Sequence, residues 1–158
     1  MNNNLNKNFW NKKKVFITGH TGFKGSWLCL FLHYLGAEVT GYSLTPNTKP
    51  NLFGLAKVDQ IIKKSIIADV RDYKKLLTKI KESNASIIFH LAAQPLVRMS
   101  YLHPKNTFDI NFTGSLNILQ AIKKIKKITT GIIITTDKVY DIKKNKIFKE
   151  TDKLGGLD

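Results

Sequence analysis

The amino-acid sequence predicts an α/β fold with a doubly wound parallel sheet, and two observations carry this prediction. Short runs rich in β-branched residues alternate with segments of helical periodicity, which is typical of parallel βαβ units. The first of these runs leads straight into three glycines at three-residue intervals, Gly19, Gly22 and Gly25, and then into a helical pattern. With 158 residues the chain is long enough for one domain with a hydrophobic core.

The remaining elements follow from periodicity and from turn residues. Strands are predicted at residues 14–18, 38–43, 65–68, 87–91 and 131–135. Helices are predicted at residues 23–35, 72–83 and 107–125, with loops at 45–57 and 92–104. We expect residues 1–13 to be a flexible extension and residues 14–158 to be one nucleotide-binding domain of the Rossmann type. Ligands of such sheets bind beyond the carboxyl ends of the strands, where the polar motifs of this sequence fall.

The segment Gly19-His20-Thr21-Gly22-Phe23-Lys24-Gly25 predicts a site for a dinucleotide pyrophosphate. A helix N-terminus offers unpaired N–H groups and partial positive charge to an anion. Gly19 permits the tight turn, Gly22 lets the backbone approach the pyrophosphate, and Gly25 lets the helix pack close to the strand. The alternative is an ordinary strand-to-helix turn without a ligand. The G-x-x-G-x-x-G spacing favours the short-chain dehydrogenase/reductase group.

Composition limits the other classes of function. The formal net charge of +15 invites a nucleic-acid interpretation, but the cations are almost all lysine and are spread along the chain. We therefore expect a solvated basic surface and no specific nucleic-acid partner. The lone cysteine, Cys29, falls in an apolar helix, no apolar run approaches membrane-spanning length, and no ligand cluster indicates a metal. We expect a cytoplasmic protein without membrane contact or bound metal.

Four segments together resemble the CDP-glucose 4,6-dehydratases, a family of the extended short-chain dehydrogenase/reductase superfamily. They are the glycine segment continued to Leu28, Gly41-Tyr42-Ser43-Leu44, the run from His90 to Tyr101, and Thr135-Thr136-Asp137-Lys138-Val139-Tyr140. The resemblance implies an internal redox cycle on CDP-glucose, with NAD as cofactor. The sugar is oxidised at C4, loses water across C5 and C6, and is reduced at C6 by the same hydride. The product is a 4-keto-6-deoxy sugar nucleotide.

The resemblance also implies the catalytic residues. Thr136 takes the position that hydrogen-bonds the sugar C4 oxygen, Asp137 that of the general acid, and Lys138 that of the base. A lysine serves as a base only if burial or neighbouring cations lower its pKa. An exposed turn after a strand is the alternative for Asp137-Lys138. Gln94, Arg98 and Asn111 are implied as substrate-binding positions, Asn111 being equally readable as a surface or core amide.

Twelve residues are predicted to bind the cofactor: Gly19, His20, Thr21, Gly22, Phe23, Gly25, Ser43, Asp69, Val70, Leu91, Ala92 and Ala93. Asp69 matches a position that contacts adenine, or else neighbours a helix start. His20 donates to a phosphate or contacts the catalytic residues, or else is a backbone-bonded loop histidine. His90 is more simply structural. No carboxylate follows the second strand to hold the ribose, so Ser43 is the candidate for this contact. The expectation of NAD rather than NADP as cofactor rests on the resemblance.

We also expect the superfamily's Tyr-x-x-x-Lys pair to begin just after Asp158, together with the substrate domain. The chain as given is then a truncated Rossmann domain without turnover of its own, although it retains weak NAD binding. A homo-oligomer is expected for the full-length enzyme. Another NAD-dependent nucleotide-sugar epimerase or dehydratase, or a non-catalytic module that binds NAD or nucleic acid, remain as alternatives.

Overall fold

A computed structural model describes residues 6–136, 138–141 and 147–155 of the chain. Its centre is a five-stranded parallel sheet with the strand order β3-β2-β1-β4-β5. The strands are β1 Lys14–Thr18, β2 Glu38–Ser43, β3 Lys64–Ile67, β4 Ile87–His90 and β5 Thr130–Ile133. This order places the first strand in the middle, so the chain reverses its direction of travel between β1 and β4. A crevice for ligands is expected at such a reversal.

Helices cover both faces of the sheet. They are α1 Lys7–Trp10, α2 Phe23–Tyr34, α3 Leu52–Leu55, α4 Val58–Ile61, α5 Tyr73–Ser83, α6 Val97–Leu102, α7 Pro104–Phe108 and α8 Gly114–Lys124. A π-helical turn, Asp109–Thr113, joins α7 to α8 without a break. The predicted Rossmann-type doubly wound α/β fold is therefore confirmed.

Two apolar clusters fix the helices to the sheet. On one face, Leu76 and Ile80 of α5 and Ile118 of α8 are buried against β1 and β4. On the other face, Cys29 and Leu32 of α2 are buried with apolar residues of β1, β2 and α4. Burying each of the larger side chains stabilises the fold by roughly 1.5–3 kcal/mol. The sheet is thus a rigid platform whose strand ends hold the polar loops in place.

The predicted element boundaries agree closely with the structure at the centre of the sheet and less well elsewhere. β1 and β2 begin and end as predicted, whereas β3 begins and ends one residue earlier. The loop predicted at residues 92–104 was wrong in part, because α6 lies within it. The helix predicted from residue 107 begins at Pro104, whose fixed φ suits the first turn of a helix.

Part of the expected N-terminal extension is helical. Asn6 caps α1 by accepting a hydrogen bond from the Phe9 N–H, and Trp10 packs against the cluster beneath α2. The Lys12 N–H also donates to the Gly36 carbonyl oxygen at 2.8 Å. These contacts join residues 6–13 to the end of α2. The domain division at residue 13 stays a prediction.

Candidate functional site

The predicted site residues gather at one edge of the sheet because the strands end in register. Thr18 at the end of β1 pairs with Tyr42 of β2 and with His90 of β4, and His90 pairs with Ile133 of β5. The glycine turn, Ser43, Asp69, the loop after β4 and Thr136 all follow these positions within a few residues. The carboxyl edge of the sheet therefore brings together motifs that are far apart in the sequence.

The glycine turn is packed too tightly for side chains at two of its three glycines. Gly19 has φ +76°, and a Cβ there would lie 2.7 Å from the backbone nitrogen of Ala92. A Cβ on Gly25 would lie 2.0 Å from the Gly19 carbonyl oxygen. Gly22 differs, because a Cβ there would meet only the Gly19 oxygen, at 3.4 Å. The turn is thus pressed against β4 and α2, while its Gly22 side stays open.

The start of α2 fits an anion such as a pyrophosphate. Gly22 caps the helix without a side-chain hydrogen bond, and the first turn carries no acidic residue. Phe23 is 71% exposed, and Lys24 beside it is exposed as well. Backbone N–H groups in the first turn of a helix have no partner within the helix and favour negative charge. The residues present therefore fit a dinucleotide phosphate group.

His20 lies within the turn, but its imidazole is fully buried behind it. Nε2 lies 2.7 Å from the Ser65 hydroxyl oxygen, and the ring packs where a Cβ on Gly41 would lie 2.3 Å from it. Burial lowers the pKa of His20 to about 4, so the ring is neutral near pH 7. The partner of Nε2 is thus a hydroxyl on β3, and a backbone hydrogen bond with Tyr42 partly opposes the lowering of the pKa. The phosphate contact of His20 stays a prediction.

Thr21 and Ser43 are hydrogen-bonded to each other. Their hydroxyl oxygens lie 2.9 Å apart, and the Thr21 hydroxyl donates to the Leu44 carbonyl oxygen at 2.8 Å, so the shared hydrogen of the pair comes from Ser43. Both residues are buried. Ser43, the candidate for the ribose, therefore already uses its hydrogen to join the glycine turn to the end of β2. Its oxygen can still accept a further hydrogen bond.

Asp69 and Val70 follow β3 and face different surroundings. The Asp69 carboxylate forms a bidentate ion pair with Arg71, with 2.6 Å between Oδ2 and a terminal guanidinium nitrogen. That guanidinium holds the pKa of Asp69 below its usual range and also donates to the Asn106 side-chain oxygen of α7. Val70 is buried in the core, against Gly114 at the start of α8. Its side chain is a packing group.

The loop after β4 is held by amide side chains. The Asn111 side chain accepts from the Gln94 backbone N–H at 2.8 Å and donates to the Gln94 carbonyl oxygen at 3.1 Å. The Gln94 side chain in turn bonds both backbone groups of Leu96 and the Thr107 hydroxyl. The side-chain amides of Gln94 and Asn111, both predicted to bind substrate, therefore form hydrogen bonds that hold this loop. Arg98 is exposed on α6.

A buried chain of side chains beneath this loop was not predicted as part of the site. The Thr18 hydroxyl oxygen lies 2.6 Å from His90 Nδ1, and His90 Nε2 lies 3.1 Å from the Ser115 hydroxyl oxygen. The Ala92 N–H donates to Thr18 Oγ1 at 3.2 Å. Leu91, also predicted as a cofactor contact, is half-buried and donates its N–H to the Thr18 carbonyl oxygen. Ser115 lies one helical turn after Asn111, and nothing in the sequence around it indicates that it bonds His90.

Two of the three predicted catalytic residues lie just beyond β5. Thr136 is exposed, and its hydroxyl accepts from the Lys138 backbone N–H at 3.1 Å. Lys138 is exposed too, while Asp137 lies outside the described residues. The polar turn after β5 therefore stands at the same edge as the glycine turn. Its catalytic assignment stays a prediction.

The Tyr-x-x-x-Lys spacing also occurs twice within the chain, at Tyr101/Lys105 and at Tyr140/Lys144. Tyr101 lies in α6 and Lys105 lies in α7. Because His103 separates these two helices, the two side chains do not share the face of one helix. The Tyr140 ring stacks on Phe148 at 4.8 Å, its backbone bridges Leu154, and Lys144 lies outside the described residues. Neither pair lies on one helix in the described part of the chain.

Other features of the described residues lie away from this edge. Cavities of 340 and 270 Å³ open at the amino edge of the sheet, lined mainly by lysine, asparagine and serine, and contain none of the site residues. Among residues 6–136, 138–141 and 147–155, no group of three His, Cys, Asp or Glu side chains could hold a metal ion. No helix in the same residues is long and apolar enough to cross a membrane.

Comparison with known proteins identifies the group to which the chain is related. It is 44% identical over 155 residues to CDP-glucose 4,6-dehydratase of Salmonella typhimurium, covering 98% of this chain and 43% of that protein. It is 30% identical to GDP-mannose 4,6-dehydratase of Vibrio cholerae, covering 89% of this chain and 40% of the relative. These matches confirm the resemblance inferred from the motifs. The chain spans less than half the length of both relatives.

A solved structure and a family profile agree with these relatives. The crystal structure of UDP-glucose 4-epimerase from Bifidobacterium longum, in complex with NAD+ and UDP, superposes with a TM-score of 0.76 at 27% identity. The superposition covers 90% of this chain and 42% of the epimerase chain. The profile of the family described as GDP-mannose 4,6 dehydratase matches residues 16–156. The chain therefore belongs to the GDP-mannose 4,6 dehydratase family.

Proposed function

We propose that this chain is the cofactor-binding part of a nucleotide-sugar 4,6-dehydratase that converts CDP-glucose to its 4-keto-6-deoxy product. The observation that carries the proposal is the glycine turn, which is closed at Gly19 and Gly25 but open at Gly22, at the start of a helix whose N-cap makes no side-chain hydrogen bond. The identity of 44% to a CDP-glucose dehydratase, against 30% to a GDP-mannose dehydratase, supports CDP-glucose as the substrate.

The same edge suggests how the chain would bind NAD. The Gly22 N–H already donates to the Gly19 carbonyl oxygen at 3.1 Å, so the Phe23 backbone N–H would receive the pyrophosphate. The small residues Ala92 and Ala93 would leave room beside β4. Asp69 would approach the adenine while paired with Arg71, a contact that the ion pair orients. When bound, NAD accepts a hydride from the sugar and later returns it.

The turn after β5 would perform the proton chemistry. The Thr136 hydroxyl would donate a hydrogen bond to the sugar C4 oxygen, and Asp137 would protonate the leaving C6 hydroxyl. Lys138 would remove the C5 proton, which requires a neutral amine. A homo-oligomeric, cytoplasmic enzyme without specific nucleic-acid or membrane contacts is part of the proposal.

A gene product that continues beyond residue 158 provides the test of activity. It is incubated in deuterium oxide with CDP-glucose, dTDP-glucose and GDP-mannose in parallel, and the products are analysed by NMR. We expect a 4-keto-6-deoxy product from CDP-glucose alone, with solvent deuterium at C5. Lys138→Met should reduce both product and deuterium incorporation by at least a hundredfold, as loss of a general base does. Turnover of another nucleotide sugar in preference to CDP-glucose would favour the related dehydratases or epimerases instead.

A further inference from the structure

The loop Ala92–Gln94 is held at both ends by one closed circuit of hydrogen bonds, and His90 stands at its centre. The circuit runs from the Ala92 N–H to Thr18, then to His90, Ser115 and Asn111. It closes where the Asn111 side chain bonds both backbone groups of Gln94. Four elements are joined in this way: the end of β1, the end of β4, the π-helical turn and the start of α8.

We propose that His90 is a positioning residue whose neutral, Nε2-protonated imidazole sets the position of the Ala92–Gln94 loop against the glycine turn. The part of this inference that concerns a ligand rests on the proposed function, since the loop is then the wall of the cofactor site. The part that concerns the circuit stands on the hydrogen bonds alone.

The donor and acceptor of each link follow from the far end of the circuit. The Ser115 hydroxyl donates to the Asn111 carbonyl oxygen at 2.7 Å, so its oxygen can only accept from His90. Nε2 of His90 therefore carries the hydrogen, and Nδ1 accepts from the Thr18 hydroxyl. The Thr18 oxygen is then left to accept from the Ala92 N–H. From the Ala92 N–H to the Asn111 carbonyl oxygen, every link therefore donates in the same direction.

Burial makes this arrangement of hydrogen bonds depend on the neutral form of His90. Thr18 is fully buried and His90 is 2% exposed, so water cannot replace a lost partner at either side chain. Burial also lowers the pKa of His90 to about 4, which keeps the ring neutral near pH 7. A protonated ring would have two donors and would face the Thr18 hydroxyl hydrogen. The neutral form alone completes the circuit.

The circuit meets the main chain at an irregular part of the helix. Asn111 lies in the middle of the π-helical turn Asp109–Thr113, and its carbonyl oxygen accepts the Ser115 hydroxyl. π-helical turns widen a helix locally and occur often at functional sites. Here the turn directs the Asn111 side chain at the Gln94 backbone while Ser115 stays in reach of His90. If these residues formed a regular α-helix, the residues after the turn would be rotated about the helix axis relative to the residues before it.

The test uses the 158-residue chain at pH 7 with two matched pairs of variants. Thr18→Val removes the hydroxyl at nearly constant volume, and Thr18→Ser retains it. Ser115→Ala removes the more distant hydroxyl, and Ser115→Thr retains it. Imidazole ¹⁵N NMR gives the tautomer of His90, and amide hydrogen exchange gives the opening of the loop at Ala92 and Gln94.

We expect the wild-type chain to hold His90 in the Nε2–H tautomer alone. Ser115→Ala should move the ring towards the Nδ1–H tautomer, whereas Ser115→Thr should not. Exchange at Ala92 should accelerate about tenfold in Thr18→Val and less than twofold in Thr18→Ser, the tenfold change corresponding to one lost hydrogen bond. An Nδ1–H ring in the wild type, or exchange at Ala92 that is equal in the two Thr18 variants, would overturn the proposal.

NAD titration of the same variants separates this proposal from the proposed function. Weaker NAD binding in Thr18→Val and Ser115→Ala, with binding retained in Thr18→Ser and Ser115→Thr, supports both. If the wild-type chain fails to bind NAD while the tautomer and exchange results hold, the proposed function fails and the circuit stands. If NAD binds equally to all four variants, the positioning role of His90 at the ligand site is refuted.

Discussion

Replacing Gly25 by alanine should destabilise the fold although alanine is the better helix former. The added Cβ would lie 2.0 Å from the Gly19 carbonyl oxygen and 2.9 Å from the Cα of His20, both backbone atoms. Ordinary van der Waals contact begins near 3.4 Å, so the turn must move by about 1.4 Å relative to α2. Overpacking of this kind costs about 1–3 kcal/mol and more where backbone must move. Helix propensity returns at most about 1 kcal/mol.

Gly22 provides the matched control for this prediction. A Cβ there meets only the Gly19 oxygen at 3.4 Å, and the residue has φ −76°, which alanine adopts freely. Gly22→Ala should therefore cost less than about 1 kcal/mol, mainly through a poorer helix N-cap. Its larger effect should be on NAD affinity, because the methyl group occupies the open side of the turn.

Urea unfolding followed by circular dichroism measures both variants. We expect Gly25→Ala to lower the free energy of unfolding by roughly 1–2 kcal/mol more than Gly22→Ala does. If the two alanine variants were equally stable, the close packing of the turn against α2 would not be what requires glycine at position 25.

Three further predictions concern buried groups. Burial lowers the pKa of both His20 and His90 from 6.5 to about 4, so the unfolded chain binds more protons between these values. The free energy of unfolding should therefore fall as pH drops from about 6.5 to 4, by up to about 3 kcal/mol for each ring, and a flat profile in pH-dependent urea titrations would count against it. Asn117→Ala, which removes the side-chain donor to the buried Val70 carbonyl oxygen and the half-buried Arg71 carbonyl oxygen, should cost roughly 2 kcal/mol in the same unfolding assay, and a cost below about 0.5 kcal/mol would argue against it. Burial raises the pKa of the Cys29 thiol to about 12, so a thiol reagent should label it only as fast as the chain unfolds, and rapid labelling of the native chain would disagree.

The centre of the fold could be predicted from local sequence because its signals are local. β1 is an apolar run bounded by lysines and a glycine, and Gly36, with φ +87°, ends α2 as a C-terminal glycine does. The helix α6 could not be predicted in this way. Its apolar residues are exposed and show no buried stripe, and it lies between two prolines.

The partners within the site could not be predicted, because they depend on strand register. Thr18 and His90 are 72 residues apart and meet only because β1 and β4 pair in parallel with these residues opposite each other. His20 was expected to contact a phosphate or a backbone group. The side chain passes behind the turn, into a space that exists because position 41 is a glycine, and its phosphate contact stays a prediction. Motif spacing located the site, and packing decided which side chains remain available to a ligand.

The π-helical turn shows a third limit of sequence-based prediction. The apolar positions from residue 107 to 125 predict one regular helix, and the structure has an extra residue per turn at Asp109–Thr113. The Asn111 side chain of this turn bonds both backbone groups of Gln94. The irregular turn is consistent with a functional position that sequence periodicity does not reveal.

Titration of the 158-residue chain with NAD by isothermal calorimetry tests the central claim most directly. The claim is that the edge formed by the open glycine turn and the Ala92–Gln94 loop binds a dinucleotide. We predict a saturable, weak interaction with one NAD per chain, which Gly22→Asp abolishes by placing a carboxylate beside the pyrophosphate. Absence of heat at millimolar NAD, or equal binding by the Gly22→Asp chain, would contradict the claim.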